Sequence, residues 1–135
     1  AVGPAGTVYA ADIQPEMLRL LERRMQERKL ANVRTVLATE DDPRLPAEAL
    51  DLALLVDVYH EFSKPQEMLR KIRAAMKPGG RLVLLEYRKE DPAVPIREEH
   101  KMSVREARTE VEAEGFRFER VLNDLPWQHI LIFRK

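Results

Sequence analysis

Apolar residues fall into two kinds of run along this chain, and their spacing predicts alternating strands and helices. Leu50-Asp51-Leu52-Ala53-Leu54-Leu55-Val56-Asp57-Val58 is nearly all aliphatic and runs into Tyr59-His60-Glu61-Phe62. The amphipathic stretch from Pro65 to Met76 reads as a helix, which Lys77-Pro78-Gly79-Gly80 stops and turns. Arg81-Leu82-Val83-Leu84-Leu85-Glu86 is then a second aliphatic strand. Near-continuous aliphatic strands belong to parallel sheets covered on both faces, and the helical crossover between them is right-handed. The pattern predicts a β-α-β unit inside an α/β domain.

On either side the pattern continues. Thr7 to Asp12 reads as a short strand, and Gln14-Pro15 opens a helix, with Pro where its missing N–H costs nothing. Met17, Leu18, Leu21, Met25 and Leu30 recur at helical spacing, with arginines between them facing water. Asn32 marks the turn out, and Val33 to Leu37 is a third strand before the acidic loop Thr39-Glu40-Asp41-Asp42-Pro43. Asp91-Pro92-Ala93-Val94-Pro95 reads as a loop over the sheet edge. Ser103 with Glu106 forms a capping box, and Gly115 ends that helix. Phe116–Leu122 and His129–Phe133, separated by Asn123-Asp124-Leu125-Pro126, predict a terminal β-hairpin.

Composition narrows the classes. At 135 residues the chain is one domain, large enough for a core. Lys+Arg and Asp+Glu both number 23, so the formal charge is zero. That balance argues against nucleic-acid or membrane-surface binding through bulk charge. Cysteine is absent, which excludes disulfides, zinc–thiolate sites and a thiol nucleophile. No run reaches membrane-spanning length and no secretory signal is visible, so the expected location is cytoplasmic.

The order of parts resembles a class I S-adenosylmethionine-dependent methyltransferase over essentially the whole chain. The resemblance rests on Val8-Tyr9-Ala10-Ala11-Asp12-Ile13-Gln14-Pro15-Glu16-Met17-Leu18 and on the strand with Asp51 and Asp57. Met76-Lys77-Pro78-Gly79-Gly80-Arg81-Leu82 and the closing Gly115-Phe116 with its hairpin complete it. It implies a Rossmann-like, three-layer sheet in the order 3-2-1-4-5-7-6, mostly parallel, with strand 7 antiparallel in the C-terminal hairpin. Thr7–Asp12 then corresponds to strand 2, Val33–Leu37 to strand 3, Leu50–Val58 to strand 4 and Arg81–Glu86 to strand 5. Strand 1 and its glycine-rich turn have no counterpart, and Ala1-Val2-Gly3-Pro4-Ala5-Gly6 resembles the loop leading into strand 2. The expectation is a domain trimmed at its N-terminus, which alone binds S-adenosylmethionine poorly. Upstream residues, closure of strands 2 and 4 on each other, or a second copy in a homodimer would each satisfy the exposed edges.

The resemblance also assigns the polar groups, which gather at the carboxyl ends of the strands, where open α/β sheets bind ligands. Asp12, acceptor-only at the end of its strand, suits the ribose hydroxyls of S-adenosylmethionine, with Ile13 beside it. Thr39 stands at the usual acidic position near adenine, followed by Glu40 and Asp41; a solvated turn is the other reading. Asp57 and Val58 line the cleft beneath the cofactor. His60, with Glu61, stands where the methyl acceptor enters and is the candidate general base; a plain backbone hydrogen bond would also account for it. Tyr59, Glu86, Arg88, His100, Trp127 and His129 are expected to form an acceptor pocket on the same rim. No H-x-x-x-H pair occurs, so no metal is assigned.

A small-molecule acceptor fits zero net charge better than nucleic acid. Two rivals stand beside methyl transfer. One is a non-catalytic Rossmann-like binding module. The other, a nicotinamide-dependent reductase, would need a Tyr-x-x-x-Lys pair, and Tyr59 and Lys64 are wrongly spaced for it.

Overall fold

A computed structural model describes residues 2–135; Ala1, the first residue of the expected leading loop, lies outside the described residues. Strand β1 (Val8–Asp12), helix α1 (Pro15–Glu27) and strand β2 (Val33–Leu37) form a first unit in which β1 and β2 pair in parallel. Strand β3 (Leu50–Val56), helix α2 (Pro65–Ala75) and strand β4 (Met76–Arg88) form the central unit, again parallel. After it come β5 (Lys101–Met102), α3 (Val104–Ala113), β6 (Arg117–Leu122) and β7 (Gln128–Arg134). The sheets run β1-β2 and β3-β4-β7-β6, with β7 antiparallel to both its neighbours. In the family numbering these orders are 3-2 and 4-5-7-6, the expected arrangement with the place of strand 1 open.

The local signals explain the elements. Pro15 and Pro65 open α1 and α2 as first-turn prolines, and Ser103 with Glu106 makes the full reciprocal capping box of α3. Gly115 takes φ +82 beyond α3, a left-handed value that glycine adopts without strain. The main core lies between α2, α3 and the larger sheet: Leu69, Leu82, Leu84, Val111, Leu131 and Phe133 are all fully buried there. Burying each such side chain contributes about 1.5–3 kcal/mol before entropy is counted.

Four features depart from the sequence expectation. Helix α2 ends at Ala75 and β4 starts at Met76, so Lys77-Pro78-Gly79-Gly80 is a bulge within the strand rather than a separate turn. Gly79 sits at φ +74, and a Cβ on Gly80 would lie 3.0 Å from the Lys77 carbonyl and 3.1 Å from that of Leu50. The bulge therefore depends on both glycines. The aliphatic strand ends at Val56 instead of Val58, because Asp57 turns to φ +48 and Tyr59–Glu61 coil into a 3₁₀ turn.

Strands β1 and β3 do not pair, so closure of strands 2 and 4 on each other is overturned: each keeps one unpaired edge. Coverage on both faces also fails at β3. Ala53 and Leu55 are buried, while Leu52, Leu54 and Val56, on the opposite face, are 52%, 57% and 50% exposed. The alternation of a strand sends every second side chain to that bare face.

Candidate active site

The carboxyl ends of β1, β2, β3 and β4 meet on one edge. Asp12, half-buried at the end of β1, accepts the Gln14 backbone N–H through Oδ1 at 2.8 Å, and Ile13 beside it is exposed. The loop after β2 reaches across to the segment after β3. Glu40 accepts from the Ser63 hydroxyl at 3.3 Å, Asp41 from the Lys64 ammonium at 3.2 Å, and Asp42 pairs with Lys71 at 3.4 Å. Thr39 donates its hydroxyl to Asp41 at 2.9 Å; that bond and Lys64 hold the Asp41 carboxyl below its ordinary range. These cross-links show that the acidic loop and the histidine segment share a rim.

The rim centres on Glu86, fully buried near the end of β4. Its Oε1 accepts the Tyr59 backbone N–H at 2.9 Å, and its Oε2 lies 2.6 Å from His60 Nδ1. Burial pushes the Glu86 carboxyl above the ordinary range, while the bond to His60 pulls the other way. His60 Nε2 in turn lies 3.2 Å from His100 Nδ1, with the rings edge-on at 5.3 Å between centroids. Glu61 is exposed, 4.0 Å from His60 Nε2. The three expected residues Glu86, His60 and His100 thus form one chain of contacts, and both ring nitrogens of His60 are taken.

Tyr59, almost fully buried, donates its hydroxyl to Glu110 at 2.8 Å and stacks edge-on with Phe62 at 5.6 Å. Burial, then Glu110, push its phenol well above the ordinary range, so it stays a neutral donor. Tyr59, His60, Phe62, Pro65 and Met102 line a cleft of about 270 Å³ together with Lys89, Lys101, Glu99, Glu106 and Glu110.

On the other flank, Asp57 Oδ2 accepts from Gln128 Nε2 at 3.2 Å. Among the described residues, Asp57 Oδ1 and His129 Nε2 are buried side-chain atoms without a hydrogen-bond partner. His129 stands opposite Glu86 across the β4–β7 ladder, and burial lowers its pKa. Val58 packs against the core.

One expected pocket residue, Arg88, is committed to contacts within the protein. Arg88 donates to the carbonyls of Leu125 at 2.9 Å and Gln128 at 2.8 Å, and also to Pro126, so its guanidinium clamps the β6–β7 turn. Trp127, in that same turn, is 49% exposed. Gln128, Glu110 and Lys101 were missed. Gln128 and Glu110 reach their partners across 71 and 51 residues, separations that no local pattern betrays.

Residues 1–82 match the model of a methyltransferase domain family. The demethylmenaquinone methyltransferase of Geobacillus sp. (strain WCH70) is 31% identical over 86 residues, covering 64% of this chain and 37% of that protein. The ubiquinone/menaquinone biosynthesis C-methyltransferase UbiE of Azotobacter vinelandii (strain DJ / ATCC BAA-1303) is 33% identical over 94 residues, covering 69% of this chain and 37% of that protein. The chain therefore spans little more than a third of the length of these curated relatives. Among solved structures, a SAM-dependent methyltransferase from Aquifex aeolicus superposes with a TM-score of 0.91 at 26% identity, over 98% of this chain and 71% of that one. The methyltransferase CalH, solved with SAH, shares the fold at a TM-score of 0.77 and 20% identity, over 98% of this chain and 45% of that one.

Proposed function

Because this chain belongs to the class I S-adenosylmethionine-dependent methyltransferases, we propose that the intact protein methylates a small-molecule acceptor bound at the rim of β3 and β4. The observation that carries this reading is the 2.6 Å contact between buried Glu86 and His60, a proton-handling pair at the ligand-binding edge of the sheet.

The residues present fit the family's cofactor. Asp57 Oδ1 is a buried acceptor with no donor, which suits an N–H or O–H of a ligand. Asp12 spends Oδ1 on Gln14, and its second oxygen would take a ribose hydroxyl. Glu40 accepts only from the neutral Ser63 hydroxyl and pairs with no cation among the described residues, so it is the carboxylate free enough to meet the adenine amino group, whereas Asp41 is held by Lys64 and Thr39. Ile13 and Val58 would flank it. S-adenosylmethionine, when bound, supplies an electrophilic methyl group.

This chain's share of the chemistry is orientation and proton removal. The Glu86–His60–His100 chain takes up the acceptor's proton, and Tyr59, Phe62 and Met102 supply apolar walls. The names of two relatives, a demethylmenaquinone methyltransferase and a C-methyltransferase of quinone biosynthesis, support a quinol-type ring as the acceptor. Removing its hydroxyl proton makes the neighbouring ring carbon nucleophilic.

The test uses the full-length protein, methyl-labelled S-adenosylmethionine and 1,4-naphthohydroquinone under anaerobic conditions. Label on a ring carbon is the expected result. Tight cofactor binding with no label on this or other phenolic acceptors would instead establish a binding module. A strand of another copy could pair with the unpaired edges of β1 and β3; a dimer surviving dilution in light scattering is the result that reading requires.

A further inference from the structure

We propose that His100, rather than His60, is the residue that takes the acceptor's proton, with His60 and Glu86 behind it as a relay; this rests on the methyl-transfer reading. His60 has no nitrogen to offer. Its side chain is 9% exposed, Nδ1 faces Glu86 Oε2 at 2.6 Å and Nε2 faces His100 Nδ1 at 3.2 Å.

The tautomers follow from Glu86 outward. An ionised carboxylate only accepts hydrogen bonds, and Glu86 is pinned because its other oxygen holds the Tyr59 N–H. With Glu86 ionised, His60 carries its proton on Nδ1 and presents a lone pair at Nε2. Only a His100 with its proton on Nδ1 can satisfy that lone pair. The lone pair of His100 is left on Nε2, on a partly buried residue that adjoins the cleft through its chain neighbours Glu99 and Lys101, with no protein partner among the described residues.

Strand β5 fixes this arrangement. Lys101 and Met102 pair in parallel with Tyr87 and Arg88, so His100, the last residue of the 3₁₀ turn Glu98–His100, is held just ahead of that ladder, near the end of β4 where Glu86 stands.

In the reaction the acceptor's O–H bond breaks and its proton moves to His100 Nε2. The Nδ1 proton of His100 passes to His60 Nε2, leaving an imidazolium against the Glu86 carboxylate. The electron pair stays with the acceptor, whose ring carbon bonds the methyl group as the old methyl–sulfur pair leaves with sulfur. The ring hydrogen at that carbon then shifts to oxygen. One proton is released in all, and it returns through His100 to water.

The test is made on the full-length protein with ¹⁵N-labelled histidine. Long-range ¹⁵N–¹H correlation above neutral pH is expected to find Nδ1–H on both His60 and His100, with both rings switching to Nε2–H in Glu86→Gln. Nε2–H on His100 in the unmodified protein, or a switch confined to His60, overturns the relay. In turnover with 1,4-naphthohydroquinone, His100→Gln is expected to lower kcat about 100-fold with the KM for S-adenosylmethionine unchanged. Imidazole should rescue His100→Ala but not His60→Ala. His100→Gln with normal kcat beside an inactive His60→Gln overturns the proposal. If the unmodified protein transfers no methyl group, the methyl-transfer reading fails for this acceptor, while the tautomers still decide the relay. His60, Glu61 and His100 also offer ligand atoms within 4.8 Å of one another; Co²⁺ absorption bands lost in His100→Gln would mark a metal site and overturn the relay.

Discussion

Replacing Glu86 separates the structural and chemical duties of one buried carboxylate. In Glu86→Ala, the Tyr59 N–H loses its acceptor in a place without water, which costs about 1–3 kcal/mol. His60 Nδ1 loses its charge-assisted partner as well, and a small cavity opens beside Tyr59 and His60. Against this, the desolvation penalty that raises the Glu86 pKa disappears. The balance is a loss of roughly 2–4 kcal/mol, or about 10 °C in Tm for a domain of this size. Glu86→Gln keeps the volume and the acceptor for Tyr59, and its amide can donate to His60 in the other tautomer. Its stability should lie within about 1 kcal/mol of the unmodified protein, while turnover falls. pH adds a second handle. A raised pKa means the folded state holds the proton more tightly than the unfolded chain, so this contribution is full below the ordinary value of 4.5 and declines as pH rises through the folded pKa. The stability difference should therefore shift in favour of Gln as pH rises across that window. Urea melts of the full-length protein at several pH values measure all of this. Equal destabilisation by Ala and Gln would refute the reasoning, because the charge and not the hydrogen bond to Tyr59 would then be holding the rim.

Asp12→Ala should weaken S-adenosylmethionine binding by roughly 1–3 kcal/mol, as loss of a charge-assisted bond implies; unchanged calorimetric affinity removes the ribose role. Glu106 is held down to about 2 by Lys89 and Ser103, and its side chain is 43% exposed, so after allowance for solvent screening it contributes only about 1 kcal/mol. A depressed pKa gives stability that is present above the ordinary 4.5 and lost as pH falls toward 2. The Tm gap between the unmodified protein and Glu106→Gln should close over that range, and a gap independent of pH would refute the pairing. His129 is kept neutral by burial, so the unfolded chain binds its proton first and stability should fall as pH drops below the ordinary 6.5. His129→Gln should flatten that slope, and an unaltered slope would assign it to another group.

The strands were legible because buried parallel strands need nothing but aliphatic residues, and Leu82 and Leu84 are fully buried as that rule requires. Capping was legible because Ser103 and Glu106 satisfy each other within one helical turn. The contents of the rim were legible as a set, since topology alone brings strand ends together. The pairings within the set were not. Strand β5 is too short to leave a hydrophobic signature, and it is what carries His100 to His60 across 40 residues. Arg88 looked like a substrate-binding cation, but a strand-end guanidinium beside a turn rich in free carbonyls finds those first. The bare face of β3 was hidden for a different reason: Leu52, Leu54 and Val56 are spelled like core residues, and exposure depends on what lies opposite.

Within this chain no strand pairing joins the two halves of the site, and ligand binding should register that. Glu86, His60 and Tyr59 belong to the larger sheet and its core, where burial fixes them. Asp12 belongs to the small β1-β2 sheet, which shares no strand pairing with the larger one. The cross-links at this rim include Lys64–Asp41 and Lys71–Asp42, both with exposed lysines, and pairs of this kind are worth about 0–1 kcal/mol each. A ligand that contacts Asp12 on one side and Asp57 on the other would couple the two sheets. Its binding energy would then go partly into ordering them. Hydrogen exchange in β1 and β2 should consequently slow on addition of S-adenosylmethionine, far more than in β4 and β7. Equal slowing in both sheets would mean that the small sheet is already fixed by contacts other than these ion pairs.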